Sequence, residues 1–235
     1  VHDCWLYTGH CNHYASANCY KWRVMCNHCK QKGMFPKSIV FDRSEKNFNN
    51  KRDSFTSLSN ERFTIVTVSE WMRKEMSTSF LKECNFSVIH NGINTEVFNI
   101  DDSLKIREKY NLKYKHVVLG VATLWNREKG LYDFIELSKY LNENEVLVLV
   151  GVDDKQISLL PKRIIAIKRT ENIKELAELY STADVFVNPT WQDNYPTVNM
   201  EAIACGTPVV TYRTGGSVEV ITENTGLIVE QGDII

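Results

Sequence analysis

Three polar stretches of this 235-residue chain carry side chains suited to gripping an anion or a sugar. The first, Thr123-Leu124-Trp125-Asn126-Arg127-Glu128-Lys129-Gly130, sets two cations just ahead of a helical pattern. Free N–H groups at a helix start already favour anions, and Arg and Lys strengthen that preference, so Arg127 and Lys129 form a candidate diphosphate clamp. A solvated helix entry accounts for the same residues equally simply. The second stretch runs over residues 189–201, with Asp193 in a loop and Glu201 one to two turns into the next helical pattern. Two carboxylates so placed can grip sugar or ribose hydroxyls through charge-assisted hydrogen bonds, and the free amides at that helix start can hold a phosphate. Glu201 can equally be an ordinary surface helix residue. The third stretch, Thr211-Tyr212-Arg213-Thr214-Gly215-Gly216, adds a glycine turn beside a further helix start. Each signal is weak alone, and their convergence at one sheet edge is what gives them weight.

A separate cluster suggests metal chemistry. Five of the seven cysteines fall within residues 4–29. Cys26 and Cys29 form a C-x-x-C, with Cys11 and Cys19 before it. Four thiolates can close a tetrahedral zinc site, so Cys11, Cys19, Cys26 and Cys29 are candidate ligands, with His10, His13 and His28 as spares. The stronger zinc pattern has two C-x-x-C pairs and this chain has one, so free thiols or disulfides remain the alternative.

The elements that position these loops alternate strand and helix. Residues 63–68 read as a strand, Ser69 as the N-cap of a helix over 69–80, and 86–89 as a short strand before the turn His90-Asn91-Gly92. Strands follow at 117–122, 146–150, 164–167, 184–188, 209–212 and 227–229. Helices are expected from Gly130, with Leu131, Phe134, Ile135 and Ser138 on one face. Others are expected over 172–181, with Ile173, Leu176, Ala177 and Tyr180 inward, and over 198–205, ended by Gly206 ahead of Pro208. Apolar strands alternating with helices imply a parallel sheet covered on both faces, and such sheets bind ligands beyond the carboxyl ends of their strands. Residues 1–5 read as a strand end running into a loop. That opening, together with an end that has no closing element, suggests a piece of a longer protein.

Composition excludes several classes. With 43% hydrophobic and 24% charged residues the chain is an ordinary globular one, and a net charge of −1 argues against a nucleic-acid binder. The longest apolar stretch, 146–152 with Gly151 admitted, is far too short to span a membrane, and no signal peptide is visible. Residues 1–60 nevertheless carry nine Lys/Arg against four Asp/Glu. That basic segment suits an anionic lipid surface or a phosphate-bearing acceptor, or is simply solvated. A cytoplasmic protein with room for peripheral contact at the inner membrane face is expected.

The run Asp193 to Glu219 resembles the family 4 retaining glycosyltransferases, with Glu201-Ala202-Ile203-Ala204-Cys205-Gly206-Thr207-Pro208 at its centre and Gly215-Gly216-Ser217-Val218-Glu219 after it. Ser69-Glu70-Trp71, Ile89-His90-Asn91-Gly92-Ile93-Asn94 with Val97-Phe98, Lys129-Gly130 and Ala183-Asp184-Val185-Phe186-Val187 extend the likeness over about residues 63–235. Residues 1–60, with His2-Asp3-Cys4-Trp5, look similar to a bacterial branch that makes colanic-acid-like and other surface polysaccharides.

The resemblance implies an α/β fold of GT-B architecture. Residues 1–98 would be a remnant of the N-terminal, acceptor-side domain with the linker, and 99–235 a C-terminal Rossmann-like donor domain. It implies transfer of a sugar from a nucleotide-diphosphate sugar, with retention, to a glycan or lipid-linked acceptor in surface polysaccharide biosynthesis. No metal would be needed for the chemistry. The family's two acids, with seven residues between them, fall on Asp193, where a Glu is usual, and Glu201, the ribose contact. Asn194, Tyr195, Pro196, Thr197 and Val198 would meet the diphosphate, as would Lys129. Gly215 and Gly216 belong to the donor site, and His2 matches a histidine near the reaction centre. Thr123 stands where the family often has an Arg, a role Arg127 would take over. Because most of the first domain appears missing, the chain is expected to keep a donor half-site without full activity. An inactive or regulatory nucleotide-binding relative is the alternative.

Overall fold

Secondary structure follows the capping and periodicity signals closely where they are strong. A computed structural model describes residues 1–34, 36–38, 40–58, 62–101 and 104–234. The chain divides into two units, Val1–Asn91 and Gly92–Ile235.

The first unit opens on a loop-rich segment held by three single-turn 3-10 helices, Cys4–Leu6, Ala15–Ala17 and Lys21–Arg23. The expected strand end at 1–5 is therefore a turn: the Asp3 carboxylate accepts from Trp5 N and caps it. Tyr7, Tyr14 and Trp22 form the buried aromatic centre, with Trp22 4.9 Å from both tyrosine rings. Helix α1, Ser44–Thr56, carries the buried Lys51, whose Nζ donates to Thr8 O at 2.9 Å. Burial pushes that ammonium down to about 8. Strand β1, Thr64–Thr67, helix α2, Glu70–Met76, and strand β2, Asn85–Val88, make a parallel βαβ unit, Thr64 pairing with Asn85. Ser69 does cap α2, accepting from Met72 N at 3.1 Å, but the helix stops at Met76 and tight turns carry the chain on.

The second unit begins with residues 92–98, whose Ile93, Val97 and Phe98 pack into its core. Helix α3, Leu104–Lys109, precedes strand β3, His116–Val121. Then come α4 (Leu131–Leu137), β4 (Glu145–Val150), α5 (Asp154–Leu159), β5 (Ile164–Ile167), α6 (Ile173–Thr182), β6 (Val185–Asn188), α7 (Thr197–Ala204), β7 (Val209–Tyr212) and β8 (Gly226–Val229). A 3-10 turn, Ser217–Val220, lies between β7 and β8. The six strands pair in parallel in the order β5-β4-β3-β6-β7-β8. Strand β4 shows why the sheet is a core element: Leu147 and Leu149 pack with Trp125, Leu131 and Phe134, while Val148 and Val150 join Ala177, Tyr180 and Phe186 in the other cluster. Alternate residues of one strand thus serve two covered faces. On α6 the inward set is Ala177, Leu179 and Tyr180; Ile173, expected inward, is 56% exposed because it sits in the first turn, beyond the edge of that stripe.

Candidate functional site

In a parallel sheet the crevice opens where neighbouring strands send their connections to opposite sides. Here that place is between β3, whose next strand β4 lies to one side, and β6, whose next strand β7 lies to the other. A cavity of about 450 Å³ lies there, lined by Thr123, Asn126, Lys129, Asn188, Asp193 and the stretch Tyr195 to Val198, among others.

The loop after β3 is anchored by Trp125, buried, whose Nε1 donates to Val150 O at 2.8 Å. Asn126 Oδ1 then accepts from Lys129 N at 2.8 Å and folds the lysine back over the strand end. Gly130 enters α4 at φ 76°, and a Cβ there would stand 2.3 Å from Pro189 O, so the sequence needs a glycine. Glu128 O receives Trp191 N at 2.8 Å and the Thr190 hydroxyl at 3.2 Å, which stitches the β3 and β6 loops together.

Lys129 Nζ meets Asp193 Oδ2 at 2.7 Å. The backbone beneath Asp193 is pinned from the β7 side: Gly216 N donates to Asp193 O at 3.2 Å, and a Cβ on Gly215, at φ 49°, would lie 1.8 Å from the same oxygen. Gly215 and Gly216 therefore shape the site without lining the cavity.

Helix α7 starts at the cavity wall, with Pro196 ahead of it. Its position is fixed by a buried polar network that composition and periodicity did not reveal. Asn188 Nδ2 donates to Asn199 Oδ1 at 2.8 Å, Asn199 Nδ2 to Ser217 Oγ at 3.2 Å, and Thr211 Oγ1 to Asn188 O at 3.0 Å. The one visible signal was an asparagine closing an otherwise apolar strand.

Glu201 is not among the residues lining the cavity. One turn beyond Thr197, its Oε2 accepts from the hydroxyl of the fully buried Tyr180 at 3.0 Å. Burial raises its carboxyl above the usual range, and hydrogen bonds from Tyr180 and Thr197 offset part of that rise. Tyr180 was expected only as core. Arg127 is exposed and outside the lining set, and α4 beyond it is only seven residues long. Asn194, in the loop between β6 and α7, is half-buried and also outside that set.

His2 and the four candidate-ligand cysteines belong to the first unit, where His2 is exposed. Cys11, Cys19, Cys26 and Cys29 are free thiols close enough to influence one another electrostatically. Burial is the main cause that pushes Cys11 up to about 12 and Cys26 to about 11, although Gly9 N–H donates to Cys26 Sγ at 3.2 Å. Among the described residues no group of three or more His, Cys, Asp or Glu side chains is arranged to hold a metal ion.

Residues 115–235 match the family described as "Glycosyl transferases group 1". The chain is 30% identical over 185 residues to the capsular polysaccharide biosynthesis glycosyltransferase CapM of Staphylococcus aureus, covering 72% of this chain and 48% of that protein. It is 29% identical over 168 residues to an N,N'-diacetylbacillosaminyl-diphospho-undecaprenol alpha-1,3-N-acetylgalactosaminyltransferase of Campylobacter jejuni, covering 67% of this chain and 44% of that protein. The chain thus spans about half the length of these curated relatives. In fold it is similar to sucrose-phosphate synthase from Thermosynechococcus elongatus, with TM-score 0.68 and 22% identity over 88% of this chain and 54% of that one. It is also similar to Anabaena Alr3699/HepE in complex with UDP and glucose, with TM-score 0.64 and 19% identity over 80% of this chain and 54% of that one. With its six-stranded parallel sheet in the GT-B manner, the chain belongs to the group 1 glycosyl transferases.

Proposed function

We propose that this chain carries the donor half of a retaining glycosyltransferase, which moves a sugar from a nucleotide-diphosphate sugar to a glycan or lipid-linked acceptor in surface polysaccharide biosynthesis. The observation that carries the reading is the cavity between the β3 and β6 loops, whose single lining cation is Lys129 and whose wall includes the start of α7. In the reaction the bond from the sugar's anomeric carbon to the diphosphate breaks, a bond to the acceptor oxygen forms on the same face, and the acceptor hydroxyl's proton leaves with the diphosphate. Charge builds on the departing diphosphate, and the Lys129 ammonium with the N–H groups at the start of α7, which has no side-chain cap, is suited to receive it. Asp193, which lines the cavity, is assigned to the sugar, and Glu201, held by Tyr180, to the ribose. Asn194 and Tyr195 to Val198 are assigned to the diphosphate and His2 to the acceptor side. The relatives named for capsular polysaccharide and for an undecaprenol-linked acceptor support the pathway class, and the neighbour bound to UDP supports the donor class. The basic first sixty residues suit peripheral contact with an anionic membrane surface. No helix among the described residues is long and apolar enough to cross a membrane.

Thr123 lines the cavity where the resemblance expects an arginine, which favours a second reading, a nucleotide-binding relative without transfer activity. Melting titrations with UDP, GDP and ADP test the shared premise. A ligand at a hundred times its Kd adds about 2.7 kcal/mol to the folded state. One diphosphate should raise the melting temperature with concentration, and Lys129→Ala should remove the rise. No response to any of them would reject the donor site. Donor turnover by a longer protein containing this chain, lost in Glu201→Ala, separates the enzyme from the inactive relative.

A further inference from the structure

The charged groups lining the donor cavity are Lys129 and Asp193, and they are paired with each other at 2.7 Å. Asp193 is the sheltered partner, its side chain only 15% exposed, while the Lys129 side chain is 40% exposed. A cavity whose two charges cancel offers a diphosphate little attraction until the lysine is released. Hydrogen bonds tie the backbone at both partners. Lys129 N is fastened to Asn126 Oδ1 at 2.8 Å, and Asp193 O is held by Gly216 N at 3.2 Å and abutted by Gly215. What remains free is the lysine stem, a compact charge on rotatable bonds that can swing between two anions more readily than a bidentate guanidinium.

We propose that Asp193 is an internal competitor for Lys129. Its carboxylate holds the lysine before the donor arrives, yields it to the donor's diphosphate, and reclaims it as the nucleoside diphosphate product departs. Asp193 would thereby weaken product binding and favour turnover, a role in addition to any contact with the sugar. The inference rests on the donor-site reading above.

Calorimetric titration of this chain with UDP, GDP and uridine tests it, comparing wild type with Asp193→Asn and Asp193→Ser. Both variants remove the competing charge, so the diphosphate that binds wild type should bind them about tenfold tighter, which is about 1.4 kcal/mol. Uridine affinity should not change, and the gain should shrink in salt of about 0.5 M, where charges are screened within a few ångströms. Unchanged or weaker diphosphate binding by folded variants overturns the competitor while leaving the donor site standing. Failure of wild type and variants alike to bind any diphosphate overturns the donor reading itself. If neither variant folds, the side-chain nitrogen resonance of Lys129 in wild type decides. It should shift as UDP is added and return when UDP is removed, and a resonance indifferent to bound UDP rejects the exchange.

Discussion

Tyr180→Phe isolates one atom of the proposed site. The hydroxyl donates to Glu201 Oε2 at 3.0 Å inside the fold. The ring packs edge-on to Phe98 and Phe186, with centroids 6.1 and 5.3 Å away, and phenylalanine keeps those contacts. A hydrogen bond to a charged group is worth about 1.5–3 kcal/mol, and its loss leaves a half-buried carboxylate with less support. Because burial already raises the Glu201 carboxyl, the variant can take up a proton as pH falls, which limits the cost under acid conditions. The destabilisation should therefore be larger at pH 7.5 than at pH 5. Hydrogen exchange read by mass spectrometry resolves the second unit separately. At 1.36 kcal/mol per decade, the most protected amides of β3, β4 and β6 should exchange about ten- to a hundredfold faster. If Glu201 meets the ribose, UDP should also bind the variant less tightly, with the 2′-deoxy nucleotide affected less. A change below about 0.5 kcal/mol, within the ordinary range for surface substitutions, would refute the reasoning, as would an effect independent of pH.

Three further outcomes follow from particular contacts. Gly130→Ala, at φ 76° with its Cβ 2.3 Å from Pro189 O, should destabilise the second unit by more than the about 1–2 kcal/mol of left-handed backbone alone, whereas Gly92→Ala, which meets nothing within 4 Å, should be neutral in urea denaturation. Cys11 and Cys26 have folded pKa values raised to about 12 and 11 from an ordinary 9.0, so their contribution is complete below pH 9 and lost as pH rises through that window. Lys51, lowered from 10.5 to about 8, has the opposite sign, its contribution present above 10.5 and lost as pH falls through 8, so melting of Lys51→Met between these limits should decline more steeply with pH than that of wild type. Metal analysis of protein purified without chelators decides the cysteine cluster, and zinc well below one per chain would leave its four sulfurs as free thiols. Stoichiometric zinc would show the sulfurs of Cys11, Cys19, Cys26 and Cys29 drawing together around an ion.

The second unit was largely legible because its strands are continuous apolar runs and its longest helix, α6, carries a capping residue. Asn172 does accept from Glu175 N at 2.9 Å ahead of α6, and α7 ends as Gly206 and Pro208 suggested. The short helices α3 and α5 escaped notice because six residues give too little periodicity, although Asp153 and Gln156 form a capping box that marks α5. Helix α1 was missed because its polar sequence, with only Phe48 and a few small or charged residues buried, shows no apolar stripe. The loop-rich opening of the chain is organised by aromatic edges and side-chain bonds such as Lys51 to Thr8 O, which link residues 43 positions apart and leave no periodic trace. At the candidate site, spacing predicted that Lys129 and Asp193 would share one sheet edge, but not that they would pair. The Asn188–Asn199–Ser217 network was unreadable because it joins a strand, a helix and a turn that only the folded sheet brings together.

The central claim is that the β3–β6 cavity takes a nucleoside diphosphate. Its most direct test is the crystal structure of this chain soaked with the diphosphate that raises its melting temperature. The account predicts diphosphate density beside Lys129 Nζ and the first amides of α7, with the lysine turned from Asp193. Density for the nucleotide elsewhere, or a cavity still closed by the Lys129–Asp193 pair in a saturated crystal, would contradict it.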